Sequence, residues 1–433
     1  MSQRPDIVSL QTERQFRAAV DSHTIIHEPT PMWVELHHEH PVWSVDGAHR
    51  AIFQGDRAIA LTALGVWDHR FGATTLKAGE IGLVGTLPEH RKRGLSRLLM
   101  ESWIATMREQ HIPLMFLTGI PDFYEQWDFH YACPDHANAF LSIALEPLAA
   151  CAIREGTLRA LDPDRDAPAV VDLIAAEHRH TPCSPIIDTD LLRFFVDKAD
   201  PHGVDWRVIE DGRGDICAVV RWKRWSGGIG PQPGGAVTLA AAREGAARGI
   251  LAAALLDHLK RSGEAELPLA IAPHGPFGEW LFHRGARRKS ASSIYRGGYA
   301  AMYRVNDLAA VLEALRTAWD ESLLMGRHAG TSVALRAGRD DGQVATVSIT
   351  EHGIDIAPGA TEDIVSAPPA VTVPWITGWR SAGDWLDRVP YPPLRGPAVD
   401  PGNPDDVSPE VASLLRDLFP HRHPYIGDTL QGG

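Results

Sequence analysis

The stretch Ile81–Thr118 constrains the fold more than any other part of the chain. Ile81–Thr86 is short, apolar and glycine-interrupted, the pattern of a buried strand. The turn Leu87-Pro88-Glu89-His90 leads into a basic glycine turn, Arg91-Lys92-Arg93-Gly94-Leu95-Ser96. Leu95, Leu98, Leu99, Trp103 and Met107 then recur at helical spacing. Pro113 lies beyond the helix, and Leu114–Thr118 reads as the next buried strand. Strand, glycine turn, helix and strand make a βαβ crossover, with free backbone amides where the helix starts. Unpaired N–H groups and the helix dipole both favour an anion there, and Arg91, Lys92 and Arg93 reinforce the preference. A single glycine in the turn excludes the dinucleotide GxGxxG fingerprint, and the GxxxxGK[ST] spacing of a P-loop is missing. A phosphate-binding turn stands against the plainer reading, a solvated basic helix cap.

The turn resembles the acetyl-CoA pyrophosphate loop of the GNAT N-acetyltransferases, written Arg/Gln-x-x-Gly-x-Gly/Ala, with Arg91, Gly94 and Ser96 in those places. Ser96 departs from the small apolar residue but is still small. Downstream, Gly119–Tyr131 resembles the family's Phe-Tyr, short helix and Gly-Phe. Phe123-Tyr124 match, while Asp128 replaces the glycine before Phe129. The resemblance implies that Tyr124 protonates the departing thiolate of coenzyme A. A tyrosine of ordinary pKa, about 10, still holds its proton at neutral pH. The plainer reading is a core tyrosine with a satisfied hydroxyl.

A chain of 433 residues exceeds one ordinary core, so two or three domains are expected. No apolar run approaches a membrane span, and MSQRPDIVSLQTERQF is no signal peptide. The four cysteines show neither CxxC pairing nor metal-site spacing, which fits reduced thiols in a cytoplasm. A net charge of −13 argues against nucleic acid as a partner and is compatible with a cationic substrate. In His37-His38-Glu39-His40 adjacent side chains point in different directions, so no metal site is expected. The cluster reads as a polar loop, flanked by Trp33 and Trp43.

Taken in order, Ala51–Phe53 and Arg57–Leu64 read as a hairpin around Gln54-Gly55-Asp56, and Val66–Phe71 and Ile81–Thr86 as further strands. Phe129–Ala132 and Ala139–Leu145 are expected to close this first mixed sheet. From Thr157 to about Val305 the pattern repeats in degenerate form. Arg248-Gly249-Ile250 aligns with Arg93-Gly94-Leu95, but Ala246 takes the place of Arg91. Leu281 stands where Tyr124 stands, and a leucine cannot donate a proton. From Asn306 the texture is α+β, with a helix at Leu308–Trp319, strands at Ser332–Arg336, Val344–Ile349 and Ile354–Ile356, a stretch holding Trp375, Trp379 and Trp385, and a last helix at Pro409–Phe419.

This order resembles the Eis-type acetyltransferases (the enhanced intracellular survival family) over nearly the whole chain, most specifically at His90–Leu95, Phe123-Tyr124 and Leu418-Phe419-Pro420. The resemblance implies an α/β and α+β multidomain protein: a catalytic GNAT domain at 1–150, a degenerate GNAT-like domain at 151–304 that does not bind coenzyme A, and a sterol-carrier-protein-like domain at 305–433. It implies transfer of acetyl from acetyl-CoA to a primary amine, an aminoglycoside, polyamine or lysine-type acceptor, in a homo-oligomer that in many members is a hexamer. Val84, Gly85 and Thr86 are then expected to hold pantetheine and the thioester oxygen, and Arg91, Lys92, Arg93, Gly94, Leu95 and Ser96 the pyrophosphate. Glu80, on the strand leading to Val84, is the candidate base, against the plainer reading of a solvated strand-end residue. Family members use the chain's terminal carboxylate as base; here the candidates for that part are Asp428 and Gly433. Two other readings are a hydrophobic-ligand-binding protein using a tryptophan-lined cavity in the last domain, and transfer of a longer acyl chain.

Overall fold

The computed structural model describes residues 5–27, 40–43, 47–120, 122–133, 141–198, 204–223, 236–288, 300–389 and 402–424. Its first sheet begins with β1 (Ile7–Ser9), crosses through α1 (Glu13–His27), and continues as β2 (His49–Gln54), β3 (Arg57–Phe71) and β4 (Thr74–Thr86). β3 runs unbroken through Gly65, where the sequence suggested an interruption. Glycine is needed there for close approach: a Cβ at Gly65 would lie 2.9 Å from the ring of Trp43. The helix α2 (Leu95–Glu109) follows β4 and leads to β5 (Leu114–Gly119), then β6 (His130–Cys133). Leu95, Leu99, Met100, Trp103, Ile104 and Met107 of α2 are buried. Gly79 lets the helix settle on β4, since a Cβ there would stand 2.8 Å from the Met107 sulfur.

The chain continues with β7 (Leu141–Ala144), α3 (Leu145–Cys151), β8 (Thr157–Ala160), α4 (Pro163–Glu177), α5 (Thr189–Asp197), β9 (Val204–Glu210), β10 (Ile216–Lys223), β11 (Ala236–Ala242), α6 (Ala246–Ser262), β12 (Glu266–Leu269), α7 (Pro276–Phe282), β13 (Arg287–Arg288) and β14 (Ala300–Val305), and a second sheet repeats the plan of the first. The strand orders are β1-β2-β3-β4-β5-β14-β6 and, read in the same sense, β8-β9-β10-β11-β12-β7-β13. The two sheets have therefore exchanged a strand. β7 pairs antiparallel with β12 and β13, and β14 pairs antiparallel with β5 and β6. This corrects the expectation that residues 139–145 close the first sheet: 141–144 belong to the second, and 300–305 take the corresponding place in the first. Hydrogen-bonding edges explain the swap. Each unit leaves a gap between its fifth and sixth strands, and the apolar strand of the other fills it. Met302, Tyr303 and Val305 are fully buried there, each contributing roughly 1.5–3 kcal/mol relative to exposure.

The remainder is a small antiparallel sheet, β15 (Ser332–Arg336), β16 (Val344–Thr350) and β17 (Gly353–Pro358), packed with α8 (Leu308–Arg316), α9 (Glu321–His328), α10 (Pro369–Thr377), α11 (Ala382–Leu386) and α12 (Pro409–Leu418). The helix expected over Leu308–Trp319 stops at Arg316, and Asp320 caps a second one, its side chain accepting from the Leu323 N–H. Trp375 lies 5.5 Å from Trp385 and 6.0 Å from Phe419, ring centre to ring centre. All three are buried, so these rings form core. Among the described residues no helix is long and apolar enough to cross a membrane.

Candidate active site

β4 and β5 are parallel and pair only at Ala78–Leu114, Gly79–Met115 and Glu80–Phe116. Beyond Glu80 they part, so residues 81–86 face a cleft where a neighbouring strand would otherwise lie. β4 also carries a bulge: Gly82 opposes Ala63 and Gly85 opposes Leu61, leaving Leu83 and Val84 against the single residue Thr62. Leu83 is left-handed at φ +53°, a conformation that costs a bulky residue on the order of 1–3 kcal/mol and concentrates at functional sites. The Thr62 hydroxyl donates to the Gly82 carbonyl (3.1 Å) and pins the bulge. A bulge re-aims backbone groups, here beside the opening of the sheet.

At the same end of the sheet α2 begins. The Leu98 N–H bonds to Gly94 O (3.0 Å), while among the described residues no backbone acceptor is found for the N–H groups from Lys92 to Arg97. Lys92 (φ +61°) and Gly94 (φ +76°) are both left-handed, which turns the amides toward one concavity. No atom lies within 4 Å of where a Cβ of Gly94 would be, so the approach to the turn is open. Arg91, Lys92 and Arg93 are exposed around it. The Arg91 Nε–H donates to Thr86 O (3.3 Å), and the hydroxyls of Thr86 and Ser96 lie 2.8 Å apart, tying β4 to the helix start. Leu95 is buried and contributes its amide, its side chain facing the core. An open row of amides, a glycine without a neighbour and three cations fit a pyrophosphate.

Tyr124 opens a 3₁₀ turn, Tyr124–Trp127, after β5. Its ring is nearly buried, packed edge-on against Phe123 at 4.9 Å, and it comes close enough to Gly119 that a Cβ there would stand 3.0 Å from it. The Gln126 Oε1 accepts from Arg97 of α2 (2.8 Å), joining the tyrosine's turn to the helix start. The Tyr131 hydroxyl donates to Gly119 O (3.5 Å), and burial, with Glu125 and Asp122 nearby, lifts its pKa above the usual tyrosine range.

Glu80 is 4% exposed, which corrects the reading of a solvated strand-end residue. It occupies the last paired position before the strands separate. It shares its side of β4 with Ala78, which packs in the core layer of Tyr303, opposite the layer holding Tyr124. The vertex of the cleft thus carries a buried carboxylate on one face and the tyrosine on the other.

Asp128, in the place of the expected glycine, is left-handed at φ +58° and buried. Asp is among the few non-glycine residues that tolerate this conformation. Its carboxylate accepts from Arg304 of β14 (3.3 Å) and Arg339 (2.8 Å). Neither arginine carried a sequence signal of its own; the acid at a glycine position was the one clue. His37, His38, Glu39, Trp33, Asp428 and Gly433 lie outside the described residues. His40 is buried, edge-on to Trp67 (5.4 Å) and Phe194 (4.7 Å), and burial lowers its pKa to about 3.

Residues 34–132 match the family described as an acetyltransferase (GNAT) domain. Three solved structures share the fold over essentially the full length of both chains. A GCN5-related N-acetyltransferase from Anabaena variabilis aligns at TM-score 0.70 and 11% identity, covering 98% of this chain and 99% of that one. One from Kribbella flavida gives 0.68 at 17% identity, covering 98% and 100%. Eis1 from Mycobacterium abscessus gives 0.62 at 15% identity, covering 98% and 99%. Comparison with curated proteins finds no matching sequence.

Proposed function

We propose that the chain is an N-acetyltransferase that moves the acetyl group of acetyl-CoA to a primary amine of an aminoglycoside, polyamine or lysine-type acceptor by direct attack. The observation that carries this reading is the parting of the parallel strands β4 and β5 beside an open, basic helix start. Acetyl-CoA supplies an activated thioester. The amides of Arg93–Ser96, with the Arg91 side chain, take its pyrophosphate, and the freed edge of Val84, Gly85 and Thr86 holds pantetheine and the thioester oxygen. Charge developing on that oxygen is stabilised by fixed N–H donors that need no reorganisation. Tyr124 gives its proton to the departing sulfur. Glu80, across the sheet from Tyr124, accepts a proton from the acceptor's ammonium, and the free amine so formed attacks the thioester carbon. Residues 1–150 supply the catalytic groups, 151–304 a second unit without an acid, and 305–433 a sterol-carrier-protein-like domain, in a cytoplasmic homo-oligomer of hexameric type.

The test is acetyl-CoA turnover, read as free thiol, against polyamines, lysine peptides and aminoglycosides, with acetyl-CoA binding measured by calorimetry. Turnover with one amine class, lost in Tyr124→Phe while binding persists, is the expected result. Absence of both binding and turnover overturns the reading.

A further inference from the structure

The loop between β15 and β16 reaches across to the turn that carries Tyr124. The Arg339 Nε–H donates to Asp128 Oδ1 (2.8 Å), its backbone N–H to Asp128 Oδ2 (3.3 Å), and a second guanidinium N–H to the Gln126 carbonyl (2.5 Å). Gln126 is the residue whose side chain holds Arg97 at the start of α2. Asp340, next in sequence, pairs with the buried Arg304 and with Arg108 of α2. Arg304 in turn donates to the Trp127 carbonyl and to Asn306 Oδ1.

The loop itself is rigid. Asp340 and Gln343 form a reciprocal capping box, and the buried Gln343 side chain donates to Val305 O (2.6 Å). Gly338 has no room for a side chain, since a Cβ would meet the Gln343 amide at 2.1 Å.

The 3₁₀ turn spans one turn of chain, closes on itself through Asp128 N–H to Glu125 O (3.0 Å) and Phe129 N–H to Tyr124 O (3.4 Å), and leaves through the left-handed Asp128, so the bonds made to its exit bear on the phenol at its start. Three of the bonds that hold its exit come from one arginine of a different domain. That arginine's side chain is 67% exposed, so it fills no core space that its removal would empty.

We infer that Arg339 is a positioning residue for Tyr124: the β15–β16 loop clamps residues 126–128 and so sets where the phenol stands relative to the thiolate it protonates. This rests on the proposed transferase reading. It gives the third domain a part in the chemistry without contact with substrate, and it accounts for an aspartate where the resemblance leads one to expect glycine.

The experiment compares wild type, Arg339→Ala, Arg339→Lys and, as a control ion pair of the same domain, Arg416→Ala, whose partner is the distant Asp387. Two readouts are taken: steady-state kinetics, and amide hydrogen exchange of residues 119–131 by mass spectrometry. Arg339→Ala is expected to lower kcat on the order of tenfold, because displacement of a catalytic group by a fraction of an ångström has effects of that size, while KM for acetyl-CoA stays within about twofold. Exchange in 119–131 rises in the same variant, Arg339→Lys is intermediate in both readouts, and Arg416→Ala matches wild type in both. The inference is overturned if kcat of Arg339→Ala stays within about twofold of wild type, if Arg416→Ala loses as much, or if exchange in 119–131 is unchanged. Should wild type turn over no amine, the transferase reading fails by itself. The exchange comparison then still decides whether the clamp exists.

Discussion

The helix starts of α2 and α6 hold corresponding places in the two units but turn differently, the capping glycine having ψ 10° in α2 and −131° in α6. Both are capped by a glycine of positive φ, Gly94 at +76° and Gly245 at +74°. Gly249, which sequence alignment sets against Gly94, lies inside the helix instead. Its reason for being glycine is contact: a Cβ there would meet the Ile153 side chain at 2.6 Å and Cys151 O at 3.1 Å. The Ile153 N–H donates to Gly249 O (2.9 Å), so the segment after α3 lies directly on the first turn of α6. In the first unit that surface is open and surrounded by arginine and lysine. In the second the capping glycine is open too, with no atom within 4 Å of where a Gly245 Cβ would be, but the segment after α3 packs on the first turn, and a cavity of about 680 Å³ lined by Pro147, Ile153, Gly245, Ala246 and Trp280, with Arg284, opens there. The comparison teaches that two helix starts in corresponding places can present different surfaces: one is ringed by three cations, the other has an apolar cavity and the α3 segment bonded to its first turn.

The largest test of this contrast is the pair Tyr124→Phe and Leu281→Met. Loss of a general acid lowers kcat by roughly 10²- to 10⁴-fold, whereas the buried Leu281 is expected to leave turnover unaffected. Equal sensitivity in the two units breaks the comparison. Next come the glycines. Gly249→Ala should destabilise by about 1–3 kcal/mol in denaturant melts through overpacking, without changing acetyl-CoA binding. Gly94→Ala meets no neighbour, costs about 1–2 kcal/mol through its left-handed backbone, and weakens acetyl-CoA binding as well.

A third test concerns the layer shared by the two sheets. His69 is fully buried beside Phe116 (4.7 Å) and Tyr303 (6.5 Å), and burial lowers its pKa to about 3. Unfolded, the ring binds a proton near pH 6.5, so between 6.5 and 3 the unfolded state holds more protons and stability falls as pH falls. His69→Phe should remove about 2 kcal/mol of the stability difference between pH 7 and pH 5, measured by urea melts at the two pH values. The smallest effect is expected from Arg91→Ala, about tenfold in acetyl-CoA affinity for the loss of one charge-assisted contact. Ala246→Arg should give the second unit no measurable affinity, because the capping glycine there turns the helix-start amides differently, with ψ −131° against 10° at Gly94.

Much of this was legible in the chain. Period-3.6 apolar spacing announced α2, and the lone glycine among basic residues announced its open start. What was not legible depended on partners far away in sequence. Residues 141–144 read as a closing strand because an apolar run says that it will pair and not with what. Glu80 read as solvated because strand periodicity does not reveal that both faces of β4 are covered. The arginines around Asp128 come from residues 304 and 339, beyond any local pattern. Gly249 was matched to the wrong glycine because the identity of a residue does not disclose whether dihedral freedom or close approach selected it.

The exchanged strands bear on how the protein is made. Synthesis runs from residue 1, yet the place between β5 and β6 is filled by residues 300–305. Until those residues leave the ribosome, the nascent first sheet has open hydrogen-bonding edges at its centre, the kind that attract other chains. The second sheet has no such wait, because β7 precedes the rest of it. The unit carrying Tyr124 is thus translated first and completed after the second, and a chain interrupted anywhere before β14 leaves the first sheet without its central strand.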